Sequence, residues 1–163
     1  MLFHSDRENN QPLAPADLKA ARRGDARAFG RLVAAHQELI YSLSYRVFGD
    51  EQFAFQAAQA GVSQAARNIK NFRSGPFQLW LLRWVVSACQ AHAPQAELSP
   101  AAAPVARQDV QGGLCQLPFK LRVALILVDV IGLDYAEASA VLDAPREQVR
   151  LWLAQARARL ITP

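Results

Sequence analysis

The most constraining feature of this chain is a pair of short helical segments near its end with only Asp143–Ala144 between them. "DYAEASAVLD" opens on Asp134 with Glu137 three residues later, the spacing at which two side chains cap each other's backbone N–H groups. "PREQVRLWLAQARARL" follows the turn as another helix. Ahead of both lies "LPFKLRVALILVDVIGL", a strongly apolar helix with Pro118 near its first turn. Two short helices joined by a tight turn and packed on a preceding helix form a helix-turn-helix unit. Residues 114–163 therefore read as one small helical domain.

The first half is helical by the same criterion. Asp17 after Pro15 suits an N-cap, and "RRGD" at Arg22–Asp25 marks a break. Phe29, Leu32, Val33, Leu39, Ile40, Leu43 and Val47 then recur at helical spacing until "FGD" at 48–50. "EQFAFQAAQAGVSQAARN" follows, with no charge between Gln52 and Ala66. At about 100° per residue its Phe53 and Phe55 cannot share one inward face. The wheel groups Phe55 with Ala58, Val62, Ala66 and Ile69 as the inward stripe and leaves Phe53 outward with Ala57, Ala60 and Gln64. After "NFRSGPF" at 71–77 comes a helix through Gln78–Gln90, making residues 15–90 a second helical unit. No strand pattern competes, so the fold class is all-α, two small helical domains. The run from Ala91 to Gly113, rich in Ala, Pro, Gln and Gly, reads as a flexible linker, and residues 1–14 as a loose tail.

Composition narrows the function. Net charge is +4, and from Asp17 to Gln90 ten basic residues face five acidic ones, which suits a polyanionic partner. The start carries no signal-peptide pattern and no apolar run is long enough for a bilayer, so a cytoplasmic protein is expected. Cys89 and Cys115 sit in apolar surroundings and read as buried free thiols. His4, His36 and His92 lack nucleophile or carboxylate partners at useful spacing, and no glycine-rich phosphate loop occurs. Neither an enzyme nor a cofactor or metal site is expected.

Four fragments stand out in order: "GDxxAF" at Gly24–Phe29, "YRVFGD" at Tyr45–Asp50, "FxxWLxR" at Phe77–Arg83 and "LPxxxRxxLxLxDVxGLxYxEAxxVL" from Leu117 to Leu142. Together they resemble the extracytoplasmic-function (ECF, group 4) sigma factors of bacterial RNA polymerase, over about residues 17–90 and 114–160. The resemblance implies a region 2-like domain that binds core polymerase and captures the melted −10 element. It implies a region 4-like domain whose last helix reads the −35 element of promoter DNA, with a linker threading toward the polymerase cleft.

Candidate residues follow for each task. Arg67, Lys70, Phe72 and Arg73 surround the loop where a melted strand would need cationic and aromatic groups. Arg146, Gln148, Arg150 and Arg157 lie on the last helix, whose core face is Val149, Leu153, Ala156 and Leu160. The resemblance implies a polymerase-facing helix with carboxylates at places that here hold Phe53, Phe55, Gln56 and Ala60, while Ala54 and Gln59 agree with the family's pattern. Phe53, Gln56, Ala57, Gln59 and Ala60 therefore form the candidate partner surface. Two roles stay open: a sigma factor directing polymerase to promoters, or a sigma-like protein acting through dimerisation or through a sigma or anti-sigma partner.

Overall fold

The computed structural model describes residues 15–98 and 110–161. Among the described residues every regular element is helical: α1 (Pro15–Arg22), α2 (Ala26–Ala34), α3 (Gln37–Phe48), α4 (Glu51–Asn68), α5 (Phe77–Leu98), α6 (Val110–Gln116), α7 (Phe119–Leu125), α8 (Tyr135–Leu142) and α9 (Arg146–Ile161). A single 3-10 turn, Ile69–Asn71, closes α4, and a widened π-helical turn, Ile126–Val130, continues α7. The tail at residues 1–14 and the middle of the predicted linker, 99–109, lie outside the described residues.

Local chemistry sets most boundaries. Asp25 accepts from the N–H groups of Arg27 and Ala28, Asp50 from that of Phe53, and Asp134 with Glu137 forms the expected reciprocal capping box. Gly49, left-handed at φ 66°, ends α3 with its N–H on Tyr45 O. Asp17 does not cap α1, which starts at Pro15; its carboxylate pairs with Arg31 of α2 instead. The stretch from 26 to 48 is interrupted at Ala35–His36, giving two helices where one amphipathic run was expected.

The facing of α4 differs from the expectation. Its buried residues are Ala54, Ala57, Gly61 and Ala65, a stripe of small side chains. Phe55 is 62% exposed, whereas Phe53 is half-buried with its ring 6.1 Å from that of Phe48. The cause is the approach of α5: a Cβ on Gly61 would lie 2.7 Å from Val85 Cα. Two backbones this close admit only small residues between them, so neither phenylalanine can face inward. Both stripes are flanks of the true inward face, which runs between them.

Less of the linker is non-helical than expected. α5 continues through Pro94 to Leu98, and Val110–Gly113 already belong to α6, so helix occupies both ends of the predicted 91–113 linker. The halves do not stand apart. One apolar core runs from Ala21, Leu32 and Val85 in the first to Leu114, Ile126 and Leu153 in the second. Donors from the second half close the C-terminus of α3: Gln111 Nε2 reaches Arg46 O at 3.0 Å, Arg122 Nη1 reaches Val47 O at 2.6 Å, and Cys115 Sγ reaches Phe48 O at 3.5 Å. Arg122 is only 8% exposed, and its other nitrogens donate to Leu117 O and Cys115 O. On the rim, Arg83 of α5 pairs at 2.8 Å with Asp143, which occupies the left-handed position (φ 51°) between α8 and α9.

Two outcomes are expected. Gly61→Val forces α4 and α5 apart; overpacking of this kind costs about 1–3 kcal/mol, lowering Tm by several degrees in a thermal melt. Arg122→Ala leaves the last carbonyls of α3 without a charged donor, so the halves separate more readily. Small-angle scattering then gives a larger radius of gyration than for wild type, and Cys115 reacts faster with a thiol reagent near neutral pH. Cys89 stays silent in both proteins, because burial pushes its thiol up to about 12 and holds it in the unreactive protonated form.

Candidate nucleic-acid interface

The end of α4 and the turn after it project a basic cluster. Arg67, Lys70 and Arg73 are exposed, as are Asn71 and Ser74. Phe72, expected in this group as a strand contact, is 3% exposed. It turns inward because apolar partners wait there: its ring packs edge-on against Phe77 at 6.0 Å and Trp80 at 5.4 Å. Trp80 in turn meets Trp84 at 6.1 Å. Both tryptophans are half-buried on the core, and the Trp84 indole nitrogen is buried without an acceptor. The aromatic residues thus form a wall beneath the loop, with Trp80 and Trp84 its partly exposed members. Arg83, one turn further along α5, is exposed but engaged by Asp143.

On the last helix, α9, Val149, Leu153 and Ala156 are buried as expected, while Leu160 is 41% exposed. Arg146, Glu147, Arg150, Leu151 and Ala154 face solvent, and Gln148 is half-buried. Arg150 lies 3.5 Å from Glu147 and over the Tyr135 ring at 5.9 Å. Arg157 is held by both oxygens of Asp129, at 3.0 and 2.6 Å, and that pairing raises its pKa above the ordinary arginine value. Arg146 and Arg150 are therefore more readily turned toward a phosphate or base than Arg157, whose guanidinium would first have to leave a bidentate partner.

The solvent face of α4 consists of Glu51, Gln52, Phe55, Gln56, Gln59, Ser63, Ala66 and Arg67. Of the five residues expected to form a partner surface, Gln56 and Gln59 are exposed, Phe53 and Ala60 are half-buried, and Ala57 is 0% exposed. Ala57 contacts only the protein's own interior. Phe55 replaces Phe53 as the outward aromatic; the signal in the sequence is the helical recurrence of Ala54, Ala57, Gly61 and Ala65, and the decisive contact is made by Val85 of another helix.

Elsewhere the chemistry is sparse. A cleft of ≈ 360 Å³ opens between Pro94, Pro118, Phe119 and Trp152, with Lys120 Nζ 5.5 Å from the Trp152 ring. Nδ1 of His36, in the turn after α2, is bonded to Leu32 O, and Nδ1 of His92 to Ala88 O one turn earlier in α5. Among the described residues no cluster of three or more His, Cys, Asp or Glu is placed to hold a metal ion, and no helix is long and apolar enough to cross a membrane.

Comparison with known proteins places these surfaces in a family. Residues 32–96 match the Sigma-70 region 2 family and residues 107–160 match Sigma-70 region 4. The chain is 32% identical over 160 residues to the ECF RNA polymerase sigma factor SigM of Mycobacterium tuberculosis, covering 89% of this chain and 82% of SigM. It is 28% identical over 169 residues to the RNA polymerase sigma-H factor of Pseudomonas aeruginosa, covering 86% of this chain and 88% of that protein. Among solved structures, CnrH in complex with the cytosolic domain of CnrY superposes with a TM-score of 0.68 at 26% identity, over 91% of this chain and 94% of CnrH. The sigma factor RpoE of Bartonella quintana, in complex with the anti-sigma factor NepR, gives 0.67 at 15% identity over 81% of this chain and 93% of that chain, a likeness of fold. A region 2 unit carrying the basic turn, a region 4 unit carrying the helix-turn-helix and this degree of identity to SigM agree: the chain belongs to the ECF sigma factors of bacterial RNA polymerase.

Proposed function

We propose that this sigma factor initiates transcription by gripping the melted −10 strand with Arg67, Lys70 and Arg73 and the upstream element with Arg146, Gln148 and Arg150. The observation that carries the proposal is the placement of two exposed basic sets, Arg67, Lys70 and Arg73 in one half and Arg146 and Arg150 in the other, within the regions the family uses for its two promoter elements. The protein supplies recognition, with the polymerase performing the chemistry in the cytoplasm. Promoter geometry adds a requirement. Elements centred at −10 and −35 lie about 85 Å apart along straight duplex at 3.4 Å per base pair. A compact chain of this length has a radius of gyration of only about 15 Å. The closed arrangement cannot reach both elements, so the halves part on binding polymerase. Residues 99–109 between them add a contour of up to about 40 Å.

One observation favours a further protein contact on α4. Its outer face offers no charge from Gln52 to Ala66 and presents Phe55. A contact made there rests on burial of one aromatic ring with amide hydrogen bonds from Gln56 and Gln59. Core polymerase is the partner such a face has in this family; a sigma or anti-sigma chain is the alternative occupant.

In vitro transcription with core polymerase and a promoter library tests the main reading; formation of open complexes is expected, and none at any promoter would refute it. Replacing Arg67, Lys70 or Arg73 by Ala weakens open-complex binding uniformly across promoters and lowers the salt slope by about 0.7 for each phosphate that is no longer neutralised. For α4, Phe55→Ala weakens core binding by about one to two decades, the worth of one buried phenylalanine, with little change in salt dependence. Light scattering of the free chain shows whether the same substitution disperses a dimer instead.

A further inference from the structure

The side of α9 farthest from the core has an unusual chemistry for a helix that reads DNA. Viewed down the axis, Val149, Leu153 and Ala156 point inward, and Glu147, Leu151 and Ala154 occupy the opposite apex. Leu151 is 50% exposed there. Arg146, Arg150 and Arg157 line up on one flank, and Gln148, Gln155 and Arg159 lie on the other. Two of the arginines have partners to the side: Arg150 rests over Tyr135 with Glu147 beside it, and Arg157 is clamped by Asp129. The apex therefore carries one acceptor, the Glu147 carboxylate, and otherwise only apolar surface.

A major groove offers few features that such an apex can match. Guanine presents two acceptors, which need a donor that the apex lacks. Thymine presents a C5-methyl group that packs against apolar side chains, and cytosine presents an amino donor suited to a carboxylate. The arginine flank supplies the charge complementarity that seats the helix against a phosphate strand. Resting on the sigma-factor reading above, we propose that Leu151 and Ala154 read thymine methyl groups in the upstream promoter element, with Glu147 accepting from a neighbouring cytosine. Specificity at these positions comes from methyl burial instead of arginine–guanine pairing.

The test uses the full chain bound to core polymerase. Duplexes randomised upstream are selected by holoenzyme binding, and each thymine of the enriched element is then replaced by deoxyuridine, which pairs identically and lacks only the methyl. Burial of one such carbon is worth about 0.8 kcal/mol, or about four-fold in affinity. Each contacted thymine therefore loses about four-fold on replacement. Leu151→Ala, at an exposed position and with an unchanged thermal melt, brings the thymine-to-uracil ratio at its own base pair to about one. Equal binding of thymine and uracil duplexes throughout the element overturns the proposal, as does a ratio that survives Leu151→Ala. An enriched element insensitive to uracil sinks methyl reading alone. Failure to enrich any upstream sequence removes promoter reading by α9 and this inference with it.

Discussion

The Arg122 guanidinium holds the closed protein together at the point where its halves meet. The last carbonyls of any α-helix lack partners within the helix and carry the negative end of its dipole. In α3 these carbonyls are Arg46 O, Val47 O and Phe48 O, and each receives a donor from the opposite half of the chain. Arg122 contributes the charge-assisted member of the set at 2.6 Å while also binding Cys115 O and Leu117 O, which fixes the bend between α6 and α7. Hydrogen bonds to charged groups contribute about 1.5–3 kcal/mol each, roughly twice the neutral kind. One buried side chain thus sets the α6–α7 corner and ties that corner to α3.

The second constraint is steric and acts through α4. Gly61 lets Val85 of α5 approach to a distance no side chain would allow, and Ala54, Ala57 and Ala65 extend that close seam. Once the seam is fixed, every other residue of α4 has its orientation assigned. Phe53 falls on a flank against Phe48, and Phe55 falls outside. The exposed phenylalanine is a consequence of backbone proximity on the far side of the helix.

These two constraints explain which expectations held. The all-α class, the Asp134–Glu137 capping box, the Gly49 stop and the Val149, Leu153 and Ala156 part of the α9 core face were legible because each depends on residues within one or two turns of each other. Where a partner came from far along the chain, local reading failed. Phe72 looked like a loop aromatic, yet its fate is decided by Phe77 and Trp80 across the bend. Small residues carried too little weight against phenylalanine in the α4 wheel, although a stripe of alanine and glycine is itself a sign of close helix packing. The Ala-, Pro- and Gln-rich composition after Gln90 suggested a linker, yet α5 runs through Pro94 to Leu98. Of the candidate site, the basic residues are exposed because charge rarely buries. Arg122 shows the exception, a motif arginine whose burial depends on a carbonyl 75 residues away.

The closed interface and the promoter make competing demands. The rim pair Arg83–Asp143 is exposed on both sides, so it contributes between about zero and 1 kcal/mol. The apolar core continuous across the halves and the Arg122 bonds contribute more, but the total cannot be large if polymerase is to open the chain. A closure worth about 3 kcal/mol already leaves the open form below about 1%, and the apparent affinity for polymerase falls by the same fraction. Arg83 takes part on both sides of this balance: paired with Asp143 it stabilises closure, and freed from it the side chain joins the exposed cations of the first half. Asp143 is well suited to that exchange, since an aspartate tolerates the left-handed turn position and adds a carboxylate that glycine would lack. The same turn residue therefore shapes the helix-turn-helix and holds it against the helix that, on the proposed opening, it leaves when a promoter is engaged.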